Sequence, residues 1–257
     1  MRTTLVMKFG GASVATPEQF SRVADIILMR SLHYSRIVVV VSAMGDMTDQ
    51  LFSLAKRVHP EPPHREQDML LSVGERISIA LLAMALASKG KEAISFTGSQ
   101  SGIITNAQHT EARIVDVRPS RLLSHLERGR VVIVAGFQGV SVTGEITTLG
   151  RGGSDTTAVA LGIALNAAKV EFFKDVAGIY NKDPGIDLAA TLYAKLSYEE
   201  ALQIVEAGAQ VLHPRCVRLA AKNSLLLHVL SFQEVQGGTH IGNISQNNYP
   251  NIYEEQT

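Results

Sequence analysis

Apolar residues fall into two alternating rhythms along this chain. Short uninterrupted runs, Leu5-Val6-Met7, Ile37 to Val41, Val131 to Ala135 and Val170-Glu171-Phe172-Phe173, are what a strand covered on both faces of a parallel sheet requires. Ala93 to Thr97, Ile114 to Val117 and Leu225 to Leu230 supply further strands. Between them the spacing turns helical. Thr16-Pro17-Glu18-Gln19 reads as an N-cap, a proline at the first helical position and a capping-box glutamine, predicting a helix to about Arg30 that buries Phe20, Val23 and Ile27. Further helices are predicted from Arg65 to Ser88, Pro119 to Arg128, Ala158 to Asn166, Ser197 to Ala207 and Pro214 to Lys222. Pro60, Pro62 and Pro63 mark a surface connection, since proline cannot continue a helix. Val140 to Leu149 is turn-rich and reads as a hairpin, and the tail after Ile244 is polar, expected to fray or to touch another subunit. Strands and helices alternate without a repeat or a break in composition. That pattern predicts one doubly wound α/β domain, a mainly parallel sheet between two helical layers in an αβα sandwich.

The candidate chemistry sits where strands empty into loops, the edge at which open α/β sheets bind ligands. Lys8-Phe9-Gly10-Gly11-Ala12-Ser13-Val14 joins a strand end, a cation and two glycines to a helix start, a combination suited to an anion. It is equally a tight turn whose lysine points to solvent. Ser42-Ala43-Met44-Gly45-Asp46-Met47-Thr48 follows the second strand, and Thr48 is a ligand or a helix cap. Gly74 lies within a helix, at a cost of about 1 kcal/mol relative to alanine, and Glu75 and Arg76 follow it among apolar neighbours. A broken local rule of this kind points to function, against the alternative of two solvated charges. Gly150-Arg151-Gly152-Gly153-Ser154-Asp155-Thr156-Thr157 brings a guanidinium fork for a carboxylate or phosphate beside glycines and two residues able to cap a helix. The loop Lys174 to Gly185 offers Asp175 to a ribose or amine and Tyr180 to a base; its mix of Asp, Gly, Asn and Pro is also that of an ordinary turn.

Composition narrows the partners. The 257 residues carry 24 basic and 24 acidic side chains, a formal net charge of zero, which gives nucleic acid or an anionic membrane nothing to attract. No leader is evident at Met1-Arg2-Thr3, and no apolar run approaches the roughly 20 residues of a membrane span, so the cytoplasm is the expected location. Cys216 is the one cysteine, which excludes an internal disulfide, and no Cys/His cluster has zinc spacing. Walker A, G-x-G-x-x-G, H-E-x-x-H and G-x-S-x-G patterns are absent.

In order along nearly the whole chain, these segments resemble the amino acid kinase superfamily, most closely the catalytic domain of aspartate kinases. Lys8 to Val14 is similar to K-F-G-G-T-S-V, Ser42-Ala43 with Thr48 to the S-A loop, Gly74-Glu75-Arg76 to G-E-R and Gly150 to Asp155 to G-R-G-G-S-D. Lys174 to Pro184 resembles T-D-V-x-G-V-Y-x-x-D-P, Gly208 to Pro214 resembles G-A-x-V-L-H-P, and Gly238-Thr239 the closing G-T. The resemblance implies ATP-dependent phosphorylation of the side-chain carboxylate of L-aspartate, with Mg²⁺ carried on the ATP phosphates. Lys8, with the Gly10 and Gly11 amides and Ser13, would meet the phosphates, and Asp155 would hold Lys8 in place. Glu75 would bind the substrate ammonium and Arg151 a carboxylate, with Thr48, Gly152, Gly153 and Ser154 around them. Lys174, Asp175, Tyr180, Asp183, Gln210 and Val211 would form the nucleotide site. An acceptor half over about 1–150, a nucleotide half over about 151–244, a tail over 245–257 and a homodimer are implied with it. Four positions depart from the pattern: Ala12 for Thr, Lys174 for Thr, Gly185 for Arg and Gln210 for Lys. Two cations are thereby absent, and Lys174 and Lys182 stand in the same loop. The family's regulatory ACT segment has no counterpart after Gly238-Thr239, so activity without feedback by lysine or threonine is expected. Another small carboxylate, phosphonate or phosphate acceptor, or a degenerate nucleotide-sensing subunit, is the alternative.

Overall fold

The structure, a computed structural model, describes residues 3–187, 189–242 and 251–254. The chain runs β1 (Thr4–Phe9), α1 (Pro17–Ser31), β2 (Arg36–Val41), α2 (Met47–Val58), α3 (His64–Leu71), α4 (Val73–Ser88), β3 (Ala93–Phe96), β4 (Ile103–Thr105), β5 (Ile114–Val117) and α5 (Ser120–Glu127). It continues through β6 (Val131–Ala135), β7 (Gln138–Ser141), β8 (Ile146–Thr148), α6 (Gly153–Ala164), β9 (Lys169–Lys174) and β10 (Lys195–Leu196). The last elements are α7 (Tyr198–Glu206), α8 (Pro214–Lys222), β11 (Leu227–Ser231) and β12 (Thr239–Ile241).

Eight strands form the central sheet in the order β10-β12-β11-β9-β1-β2-β6-β3, parallel throughout except at β11–β12. Because strand side chains alternate between faces, β1 divides its residues between two cores. Leu5, Met7 and Phe9 pack with Phe20, Val23 and Ile27 of α1 and with Leu82 and Leu86 of α4. Val6 faces the opposite layer, among residues of α5, α6, α7 and α8. The expected three-layer αβα sandwich is thus present. From β1 the chain builds outward to β2 on one side and, in its second half, to β9 on the other. The carboxyl ends of β1 and β9 therefore flank the topological switch point, where ligands of such sheets bind.

Several elements differ from expectation. The helix predicted from Arg65 to Ser88 is two helices, broken at Ser72. By length and composition alone the span His64–Ser88 is long and apolar enough to cross a membrane, contrary to the expectation that no run is long enough. It is a core helix pair instead, with Ile79, Leu82 and Leu86 buried against the sheet. The helix predicted from Ala158 begins at Gly153. Short strands β4, β10 and β12 were not expected, and β5-β4-β7-β8 form a second sheet, of which only the β7–β8 hairpin and β5 were legible. Most of the polar tail lies outside the described residues. Its stretch Asn251 to Glu254 is not frayed: Glu254 pairs with Arg215 of α8, its N–H donates to Ile114 O at 3.0 Å, and Ile252 N–H donates to Asn223 Oδ1 at 2.9 Å.

Candidate active site

Lys8 is the one charged residue inside β1, and alternation turns it toward α6, on the Val6 side of the sheet. The residue is 5% exposed, and its ammonium meets Asp155 Oδ1 at 2.6 Å as a close ion pair. The other oxygen of Asp155 accepts from Lys174 Nζ, at the end of β9, at 3.2 Å. One carboxylate thus holds two cations, at the positive end of a helix that is buried from Gly153 to Ile163. Burial pushes the Lys8 ammonium pKa down and Lys174 adds to that, with Asp155 opposing. Burial alone would raise Asp155, but Lys174 and Lys8 outweigh it and hold the carboxyl at about 2.

Glycines make this arrangement possible by close approach. A Cβ on Gly11 would lie 2.9 Å from Gly45 O, so the first turn can fold against the loop after β2 only with glycine there. Gly152 caps α6 at φ +71°, where a Cβ would sit 2.2 Å from His213 Cγ. The cap is Gly152, so Ser154 and Asp155 lie in the first helical turn and do not cap it. Gly74 lets α4 approach Ala43, whose Cβ would be 2.8 Å from a side chain there. That contact accounts for the glycine in the helix.

Glu75, beside it, is buried at 2% exposure, which removes the solvated reading. Its Oε1 accepts from Ala43 N–H at 3.2 Å, and its Oε2 has no partner among the described residues. Burial raises its carboxyl to about 7, although the Ala43 amide, Lys8 and the nearby Gln138 side chain offset part of the effect. Both Glu75 and Lys8 open on a cavity of about 580 Å³ that Thr48, Gly150, Arg151, Gly152, Gly153, Ser154 and Asp155 also line. Arg151 is exposed. Thr48 is in the first turn of α2, whose N-cap is Asp46, so the capping alternative for Thr48 falls.

The remaining candidates do not line this cavity. Ser13 is buried in a 3-10 turn over Gly11–Val14. Asp175 is exposed. Tyr180 makes a backbone bridge with Leu192, and Asp183 Oδ1 accepts from Gly185 N–H at 2.8 Å, closing its own turn. Exposed Gln210 and half-buried Val211 precede α8.

Sequence reasoning missed Phe137, Thr110, Glu111 and Thr148, all on the cavity wall. Phe137 had a signal, since it follows β6 between glycine-bearing positions, and its φ of +68° is a strained value for such a residue. Among the described residues no three His, Cys, Asp or Glu side chains converge as a metal-binding group.

Two cations gripped by a helix-terminal carboxylate suit phosphoryl oxygens, and a buried unpaired carboxylate across the same cavity suits a cation. A family model for the amino acid kinase family matches residues 3–231. The chain belongs to the amino acid kinase family. Within that family it is 52% identical over 236 residues to an aspartokinase of Mycobacterium tuberculosis, covering 91% of this chain and 56% of that protein. It therefore spans a little more than half the length of such curated relatives. The crystal structure of aspartate kinase from Synechocystis superposes with a TM-score of 0.88 at 44% identity, covering 98% of this chain and 42% of that one. That of E. coli aspartokinase III in complex with aspartate and ADP gives 0.84 at 29% identity, covering 95% and 65%.

Proposed function

We propose that this amino acid kinase family member transfers the γ-phosphoryl group of ATP to the side-chain carboxylate of L-aspartate, forming 4-phospho-L-aspartate and ADP. The observation that carries the reading is the pair of opposite anchors on one cavity with Lys8. Glu75 Oε2, buried and unpaired, suits an α-ammonium, and exposed Arg151 suits an α-carboxylate. A buried carboxylate at this place repels a phosphate or phosphonate acceptor, so the amino acid is favoured over those alternatives. Its similarity to aspartokinases selects aspartate among amino acids.

Phosphoryl transfer asks mainly for positioning and charge neutralisation. Lys8 and Lys174 would neutralise the transferring group, with Asp155 fixing both ammonium groups and the Gly10 and Gly11 amides and Ser13 beside them. The acceptor carboxylate is ionised near neutral pH, so no general base is needed. Mg²⁺ would be carried on the ATP phosphates. Asp175, Tyr180, Asp183, Gln210 and Val211 would hold the nucleotide, in a half of the domain (about 151–244) distinct from the acceptor half (about 1–150). A cytoplasmic homodimer completes the reading.

Incubation with Mg-ATP, L-aspartate and hydroxylamine tests it. Aspartyl hydroxamate should accumulate, and product no higher than with a Lys8→Ala variant would defeat the proposal. A panel of other carboxylates, phosphonates and phosphates, followed by ADP release, tests the choice of acceptor.

A further inference from the structure

Asp68, on α3, is fully buried and takes no part in the chemistry proposed above. Its carboxylate is nonetheless saturated. Thr110 N–H lies 3.1 Å from both oxygens, His109 Nδ1 lies 2.7 Å from Oδ2, and the Thr148 hydroxyl donates to Oδ1. These donors come from two separate segments, the loop after β4 and the strand β8.

The segments it joins form a wall of the cavity. Thr110, Glu111 and Thr148 line it next to Gly150 and Arg151. Thr110 has φ +68°, a conformation that a β-branched residue keeps only when its surroundings over-determine it. Two of the four bonds to Asp68 go to its N–H and supply that restraint. Gly150, at φ +70°, packs on this residue so closely that a Cβ would lie 3.2 Å from Thr110 O. Ala112 N–H donates to Thr148 O at 2.9 Å, binding the two segments together beside the turn. Arg151 itself makes no ion pair among the described residues, so the direction of its side chain depends on the backbone it springs from.

We infer that Asp68 is a positioning residue for the amino acid substrate: through Thr110 and Thr148 it fixes the Gly150–Arg151 turn that presents Arg151 to the α-carboxylate. This rests on the reading of Arg151 given above. The nucleotide-side lysines spring from β1 and β9, and their partner Asp155 sits inside the buried helix α6, so the effect falls mainly on the amino acid.

Asp68→Asn and His109→Ala, compared with Arg151→Ala, test it through KM for aspartate, KM for ATP and kcat. The expected result is an aspartate KM at least tenfold higher in Asp68→Asn, and at least threefold higher in His109→Ala, with the ATP KM within twofold of wild type. Folded Asp68→Asn protein with neither KM changed, or with both raised together, overturns the inference. Should Asp68→Asn fail to fold, His109→Ala decides by the same criterion, since it leaves Asp68 with its other donors. Calorimetric titration with L-aspartate reads the selectivity without turnover. An inactive wild type that binds aspartate and loses it on Asp68→Asn would sink the kinase reading and uphold this one; a wild type that binds no aspartate overturns both.

Discussion

Glu75→Gln isolates the charge of one buried carboxyl while keeping its shape. Glu75 titrates ordinarily at 4.5 and here at about 7, because burial disfavours its charged form. A folded-state value above the unfolded one leaves the protein unpenalised below pH 4.5 and costs stability as pH rises toward 7. Above pH 7 the cost reaches on the order of 3 kcal/mol. The glutamine variant does not titrate, so its stability relative to wild type should rise by that amount between pH 4.5 and pH 8, read from urea midpoints. An ammonium bound at Oε2 reverses the balance by stabilising the carboxylate. Aspartate KM of the wild type should therefore fall as pH rises through 7, and binding near pH 7 should release about half a proton, visible as buffer-dependent calorimetric heat. In Glu75→Gln the KM should be about 10–100-fold higher, the loss of one charge-assisted bond, and flat with pH. Parallel stability curves for the two proteins, or an unchanged aspartate KM, would refute the assignment.

Gly152→Ala places a Cβ 2.2 Å from His213 Cγ at φ +71°; it should destabilise the protein and abolish turnover. Adding His213→Ala should recover part of the stability, because the clash goes and the backbone strain of about 1–3 kcal/mol stays. Asp155, held at about 2 against an ordinary 3.8, contributes about 2 kcal/mol above pH 3.8 that is lost as pH falls through 2. Asp155→Asn should accordingly be less stable at neutral pH, with urea midpoints converging on wild type in strong acid, and kcat should drop by on the order of 10²–10³. Glu254→Ala takes the carboxylate from the Arg215 guanidinium, 10% exposed, leaving it only the Leu149 and Ala112 carbonyls, and should cost about 3 kcal/mol in urea unfolding.

Much of the scaffold was legible because it obeys simple periodicities. The runs Ile37 to Val41 and Val131 to Ala135 are apolar throughout, and both prove to be central parallel strands. The capping signal at Thr16 was right in detail, Gln19 Oε1 accepting from Thr16 N–H at 3.1 Å. The assembly of the second sheet was illegible for a physical reason, although β5 and the β7–β8 hairpin were expected. Strands β4 and β8 have three residues each, too few for a period, and their buried threonines pair with one another, Thr105 and Thr147 hydroxyls meeting at 2.6 Å. Threonines and glycines in such a stretch have the composition of a loop until the partner strand is known.

The same distinction decides which functional residues could be found. Lys8 interrupts an apolar strand, Gly74 a helix, and Glu75 an apolar helix face; each violates a local rule, and the violations are resolved only in the folded chain, Lys8 and Glu75 at the cavity and Gly74 by its contact with Ala43. Asp68 and His213 violate nothing. Asp68 lies in a short polar helix segment and His213 ahead of a proline-initiated helix, ordinary places for both residue types. What makes them consequential is tertiary: three donors from distant segments converge on one carboxylate, and an imidazole packs where only glycine fits. Residues that touch the reacting groups must break local patterns, because charge and backbone exposure belong there and an apolar core does not. Residues that position them need break none, which is why the supporting wall emerges only from the folded chain.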